Sequence, residues 1–367
     1  MENDNISYKK VITFIGAILA FSIGSGFSTG QELLQYCAAY GYKSILVGLI
    51  FFAIFAYTNY AFAEAGNTQK FTKGSEVFGY YCGPYIGAGF DYFSVFFCYL
   101  SYIVMVGGAA ATFNQQYGVP IHIGAAILAV LACATVILGL DFLLNILGML
   151  GPIIVGIALF IGVYSAIVGF PHISEGVRLI ESGEVKVLQA GSNWFMAGAS
   201  YGGFVLLWFG GFMGALGAKN RMKELVPAII IGAVLNALAC VIVGFALLAN
   251  IKDVADMQIP NLFLAKKIWE PLANGFAVII ITAIYTTSVP LLWTASSRFA
   301  QEKTPKFFIA TVFLAALGYF IAMYVPFNKL LNYVYVINGY GGFVLLLLII
   351  VKRMRMRFEK KTDINHT

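Results

Sequence analysis

Ten apolar runs, each about as long as the 20 residues a helix needs to cross a bilayer, follow one another through nearly the whole chain and leave one architecture open. Hydrocarbon offers no partner for backbone N–H and C=O groups. A chain that crosses it repeatedly in runs of this length must satisfy those groups inside helices. The runs fall near 10–39, 43–65, 86–113, 119–140, 142–169, 193–217, 225–250, 270–298, 306–324 and 329–351. The longest polar connections, 67–85, 170–192 and 251–269, are too short to build a core of their own. The expected fold is an all-α polytopic membrane protein in which 1–367 is a single domain ending in a basic tail, 352–367.

Charge placement supports the count independently of hydropathy, because cytoplasmic loops near membrane ends are rich in lysine and arginine. With the N-terminus inside, only Lys43, Arg178, Lys186, Lys252, Lys266, Lys267 and Lys329 fall outside. That leaves 16 of the 23 basic residues on the cytoplasmic side (23 − 7), so both termini are expected in the cytoplasm. The net charge of +6 then follows from topology and the tail, which can also touch anionic lipid; it does not point to nucleic acid. Glu2 and Asp4 dilute the basic start, and apolar sequence continues to about Ala39 with no clean cleavage site, which argues against a cleaved signal peptide. Five scattered cysteines and three histidines give no metal-ligand spacing or disulfide framework, and His122 reads as interfacial. No phosphate-cradling loop and no grouping of serine, histidine and acid appears, so neither nucleotide hydrolysis nor an enzyme is expected.

The first run is interrupted by Ser22-Ile23-Gly24-Ser25-Gly26-Phe27-Ser28-Thr29-Gly30-Gln31-Glu32. Glycine weakens a helix by about 1 kcal/mol relative to alanine, and a carboxylate near the bilayer centre costs roughly 2.5 to 3.5 kcal/mol. Unwound backbone at that depth needs protein or a water-filled cavity to satisfy it. The sixth run carries comparable glycine clusters, Ala197-Gly198-Ala199-Ser200-Tyr201-Gly202-Gly203-Phe204 and Gly210-Gly211. Paired glycine-rich interruptions in corresponding spans are the sequence pointer to the binding site of an inverted-repeat carrier. Ten spans divide into two fives, and an odd number per repeat inverts the second, giving repeats at about 10–169 and 193–351 with spans one and six broken.

In this pattern the chain resembles the leucine-transporter fold of the amino acid, polyamine and organocation superfamily. The run Gly24-Ser25-Gly26-Phe27-Ser28-Thr29-Gly30-Gln31-Glu32 is similar to the first-span signature of YkvI-type bacterial membrane proteins. The resemblance implies a secondary active transporter of the bacterial cytoplasmic membrane for an amino acid or related zwitterionic or carboxylate solute. It also implies that spans one, two, six and seven rock against the rest. By the same resemblance, adjacent hydroxyls of span eight, Thr286 and Thr287, with backbone oxygens of Ala283, Ala20 and Ile23, would hold a sodium ion as coupling ion. The other reading of these hydroxyls is that they bond carbonyls of their own helix.

Several residues stand out as candidates to bind the solute. Gly24, Ser25, Gly26, Phe27 and Thr29 offer the backbone of the break, and the N–H groups of Ser25, Gly26 and Phe27 at a half-helix N-terminus suit a carboxylate. Tyr99 and Tyr102, one turn apart in span three, could close over it, and Tyr201 with Gly202 could line the same cavity; all of these aromatics could equally be packing. Glu32 could bind a substrate ammonium, relay a proton or anchor a neighbouring helix. The competing functions are a proton-coupled carrier, a channel, and a membrane sensor on a transporter scaffold.

Overall fold

The computed structural model describes residues 6–22, 25–138 and 156–364, and these are helical almost throughout. The first run is described as α1 (Tyr8–Ser22), α2 (Ser25–Thr29) and α3 (Gln31–Tyr36), with helical backbone interrupted at Gly30 between α2 and α3. There follow α4 (Ser44–Gln69), α5 (Glu76–Tyr117), α6 (Ile121–Leu138) and α7, described over 156–169. After α8 (Ile173–Glu181) come α9 (Trp194–Lys219) and α10 (Met222–Leu248). Two short helices, α11 (Ile251–Val254) and α12 (Pro260–Ile268), lead into α13 (Glu270–Ser297), α14 (Pro305–Tyr324) and α15 (Phe327–Ile364). Among the described residues, nine helices are long and apolar enough to cross a membrane. They overlie the expected runs two to ten, starting earlier at Ala38 and Glu76 for runs two and three and ending later at Glu181 and Glu359 for runs five and ten. Residues 142–155 of run five lie outside the described residues.

Local chemistry explains the ends. Asn193 caps α9 by accepting from the Met196 N–H at 2.9 Å, and Thr304 caps α14 by accepting from Phe307 N–H at 3.2 Å, with Pro305 filling the first-turn position that needs no N–H. Gly118 closes α5 in the left-handed conformation, φ +67. Near its start α5 turns at Gly83, φ +77, because the following Pro84 disfavours helical backbone before it. The stretch 76–82 is therefore a separate turn ahead of the span, which is why the apolar run begins only at 86.

Span six differs from the expectation. α9 runs unbroken from Trp194 to Lys219, and its glycines are not unwinding points. They are contact points. A Cβ on Gly203 or Gly217 would land on the backbone of Gly339 or Ala63, and one on Gly198, Gly202 or Gly210 would meet Ile50, Ile54 or Phe78. Gly66 of α4 faces Gly214 of α9 in the same way. In lipid, where apolar surface gains nothing by association, small residues let helices approach closely enough for dispersion to hold them. α9 is thus the central helix, seamed to α4 on one side and α15 on the other. The break in span one has no broken counterpart.

Candidate functional site

The break brings its own polar chemistry into the centre of the bundle. Ile23 and Gly24 lie outside the described residues, as does the side chain of Ser25. After the short α2, Gly30 takes φ +84, a left-handed conformation that only glycine adopts without strain, and α3 begins at Gln31. This interruption frees carbonyls that helix geometry would have paired. The Phe27 carbonyl accepts from the Gly30 N–H at 3.0 Å and from the Asn261 side-chain amide at 3.1 Å. The Ser28 carbonyl accepts from the same amide at 3.1 Å. Thr29 donates its hydroxyl to the Gly26 carbonyl at 3.0 Å and accepts from the Gln31 N–H at 3.4 Å. Asn261, on the short helix α12, therefore supplies the donors that let the backbone unwind here. It fits because Gly30 has no side chain: a Cβ there would land on the Asn261 amide.

Glu32, in the first turn of α3, is 5% exposed. Its carboxylate packs where a Cβ on Gly26 would stand. The Tyr201 hydroxyl faces both this carboxylate and the Cys240 sulfur, the latter at 3.1 Å. Among the described residues no ion pair includes Glu32. Its surroundings are aromatic. A narrow cleft runs from Glu32 past Phe21 and Ser22, at the end of α1, to Phe204, Val205, Trp208 and Phe209 of α9 and Tyr335 of α15. The rings touch across it: Phe21 stands edge-on to Trp208 with centroids 6.1 Å apart, and Phe204 stacks on Tyr335 at 4.6 Å. The enclosed space holds about one water molecule.

A polar layer lies one turn beyond Glu32 along α3. Asn332 of α15 donates to the Gln35 side chain at 2.8 Å and to the Gln189 carbonyl at 3.0 Å. Gln35 donates to the Asn328 carbonyl at 2.9 Å, and its own carbonyl accepts from the Ala190 N–H at 3.1 Å. Phe21 and Ser22, at the end of α1, are partly exposed.

The other sequence candidates distribute as follows. Tyr201 lies beside Glu32, stacked on Tyr36 at 4.8 Å and on Phe51 at 4.4 Å. Gly202 faces Ile54 of α4 and not the cleft. Tyr99 and Tyr102 also turn elsewhere, towards α14: Tyr99 donates to the Leu314 carbonyl at 3.0 Å, and Tyr102 packs on Gly318. The α5 ring that reaches the cleft's aromatics is Phe97, edge-on to Trp208 at 5.9 Å and to Tyr335 at 6.3 Å. On α13, Thr286 is buried and donates to the Ala283 carbonyl at 3.0 Å, the helix-internal bond weighed against ion ligation; Thr287 is half-buried. α13 packs against α2, so these hydroxyls belong to the helix beside the break. Ala20 lies within α1.

Beside the N–H groups of Ser25, Gly26 and Phe27, where the sequence places a carboxylate site, the protein's own Glu32 carboxylate lies against Gly26. Sequence reasoning missed Asn261, Gln35, Asn332 and the ring set of Phe21, Trp208 and Tyr335. A signal existed for Phe21, one residue ahead of the break, and for Trp208, one of 4 tryptophans in the chain and the one beside Gly210-Gly211.

No family model matches this chain. A curated Bacillus subtilis protein described as uncharacterized protein YyaD is 23% identical over 339 residues, which cover 91% of this chain and 94% of the relative. Crystal structures of two point mutants of the Eremococcus coleocola manganese transporter match with TM-score 0.60 at 15% identity, covering 96% of this chain and 80% of theirs. At that identity the likeness is one of fold. With its apolar helices, it makes this chain a multi-pass membrane protein with the fold of a membrane transporter.

Proposed function

We propose that this protein is a secondary active transporter of the bacterial cytoplasmic membrane, moving a small amine-bearing solute such as an amino acid or related amine by alternating access. One observation carries the reading. A buried carboxylate with no basic partner among the described residues sits at the break in span one, in a cleft walled mostly by aromatic rings, with the hydrogen bonds of Gln35 and Asn332 one turn further along α3. A membrane interior keeps such a group when it serves a pathway or a ligand. The transporter-like fold supports the reading, as does the helix count: nine spanning helices and the interrupted first run fit ten spans in two inverted fives.

Sodium is the coupling ion in this reading, held by Thr286 and Thr287 with backbone oxygens of Ala283, Ala20 and Ile23. The packing of α13 against α2 supports it, because hydroxyls and unwound carbonyls are the oxygen ligands a hard cation takes without a second buried charge. The test is uptake of radiolabelled amino acids and amines by purified protein in vesicles with an imposed sodium gradient. Saturable uptake and counterflow are expected. Absence of counterflow for every solute would overturn the transporter reading, and identical uptake with potassium in place of sodium would overturn the coupling.

A further inference from the structure

The cleft's walls suggest which end of a solute it is built for. Its charge is a single carboxylate, Glu32, and no lysine, arginine or histidine lines it. The remaining walls are mostly aromatic: Phe21 from span one, Phe204, Trp208 and Phe209 from span six, Tyr335 from span ten. Ring faces carry negative electrostatic potential, so they attract cations and gain nothing from anions, and they do so most strongly where water is excluded. The Glu32 carboxylate already lies beside Gly26, where a Cβ would stand. A second negative group would sit against the first.

We infer that the cleft is a cage for an organic ammonium ion, in which Glu32 neutralises the charge and Trp208, Phe21 and Tyr335 enclose its carbon-bearing face, with no carboxylate required on the ligand. The inference rests on the transporter reading for the route by which the cation moves, but the cage itself is a statement about binding. The chemistry also explains why a carboxylate stays in a nearly water-free site: the ligand that enters supplies its counter-ion. Phe21 closes one wall from the end of α1, next to the break, while Trp208 and Phe209 stand on the unbroken α9. Admission of a ligand larger than water therefore calls for Phe21 to swing with α1, not for α9 to unwind.

The experiment compares ligands matched in shape and differing in charge. Purified full-length protein in nanodiscs is titrated calorimetrically with choline, with its neutral isostere 3,3-dimethylbutan-1-ol, with propylamine, with alanine and with propionate. The expected order has the two ammonium ions binding at least about tenfold tighter than the neutral isostere, on the order of one desolvated cation–π contact, and propionate not binding. Glu32→Gln should weaken choline about tenfold or more, and Trp208→Leu by a similar factor, with Trp208→Phe retaining most of the affinity. Monodispersity on gel filtration identifies a variant that fails to fold, and the wild-type isostere comparison then decides alone. Equal binding of choline and its isostere, binding of alanine or propionate in preference to both ammonium ions, or no ammonium binding at all would overturn the cage. Vesicle flux separates this from the transporter reading: ammonium binding without flux sinks transport and leaves the cage, and alanine flux without ammonium binding does the reverse.

Discussion

The support that Asn261 gives to the break can be measured. Its amide donates two hydrogen bonds, to the Phe27 and Ser28 carbonyls, each at 3.1 Å. At a net value of about 1 kcal/mol per bond, Asn261→Ala should cost about 2 kcal/mol. Part of that returns, because the Asn261 Oδ1 atom is buried with no partner among the described residues and its removal is favourable, which leaves about 1 to 2 kcal/mol. Gly30→Ala should cost more. It forces an L-residue into φ +84, worth about 1 to 2 kcal/mol, and its Cβ lands on the Asn261 side chain, which must leave and break the same two bonds. In the double mutant the collision is gone, so the total should fall short of the sum of the singles by about 1 to 2 kcal/mol, well beyond the roughly 0.5 kcal/mol scatter of independent sites. Reversible unfolding in mixed micelles, followed by tryptophan fluorescence for the four proteins of the cycle, gives each value. Additive singles, or an Asn261→Ala protein as stable as wild type, would refute the argument that this side chain holds the unwound backbone. Asn261→Asp is the control: it keeps the size, removes both donors and faces the carbonyls with negative charge, so it should be worse than alanine.

Other outcomes follow from the packing and the loops. Tyr99→Phe should lower stability by about 0.5 to 1.5 kcal/mol through loss of its bond to the Leu314 carbonyl, while solute uptake in vesicles keeps its wild-type half-saturation; a changed half-saturation would contradict its orientation towards α14. Gly217→Leu should abolish recovery of monodisperse protein on gel filtration, since even a Cβ there lands on Ala63 backbone and overpacking in a tight seam costs about 1 to 3 kcal/mol or more; normal recovery would mean the seam is loose. In the connection after α8, Arg178 bonds Glu184 at 2.7 Å and holds its carboxyl below the ordinary range. A depressed carboxylate stabilises above its unfolded pKa and loses that contribution as pH falls through its folded value. Arg178→Ala should therefore raise the Glu184 titration seen by NMR towards the ordinary carboxylate range and remove the acid-side decline; an unmoved titration would exclude the pair as its cause.

Much of this fold is legible in the sequence because the membrane makes it so. About 20 apolar residues specify a crossing whatever they pack against, and runs two to ten were located on that ground alone. Break one was legible for a different reason: its glycines are interleaved with Ser22, Ser25, Ser28, Thr29, Gln31 and Glu32, a polarity that a lipid-facing or merely close-packed helix would not carry. Span six shows the limit of reading glycine. Gly198 and Gly202, like Gly210 and Gly214, are four apart on one face of an apolar helix, which is the spacing of close helix contact. Glycine permits unwinding and permits approach, and only its neighbours tell the two apart. The rotational phase of a helix is equally hidden when all its faces are apolar: Tyr99, Tyr102 and Phe97 look alike as candidates, and neighbours from distant sequence decide which one turns to the cleft. Asn261 was beyond reach, since a loop amide 234 positions from Phe27 gives no local sign of the carbonyl it will meet.

The seam between α4 and α9 has a consequence for the order in which the protein is made. Asn67 of α4 bonds the Gly217 carbonyl, its partner 150 residues further along the chain, so α4 enters the bilayer long before the surface it is cut to fit has been synthesised. During that interval its small-residue face meets only lipid, which is tolerable because it is apolar. Its mid-span polar donors are provided for within the helix itself: the Thr58 hydroxyl donates to the Ile54 carbonyl at 2.7 Å and the Asn59 amide to the Phe55 carbonyl at 2.8 Å. Span two can thus be inserted alone with these two donors satisfied, leaving Asn67 near its end to find its partner when span six arrives, and assembly of the central seam becomes a late event of biogenesis rather than its first step.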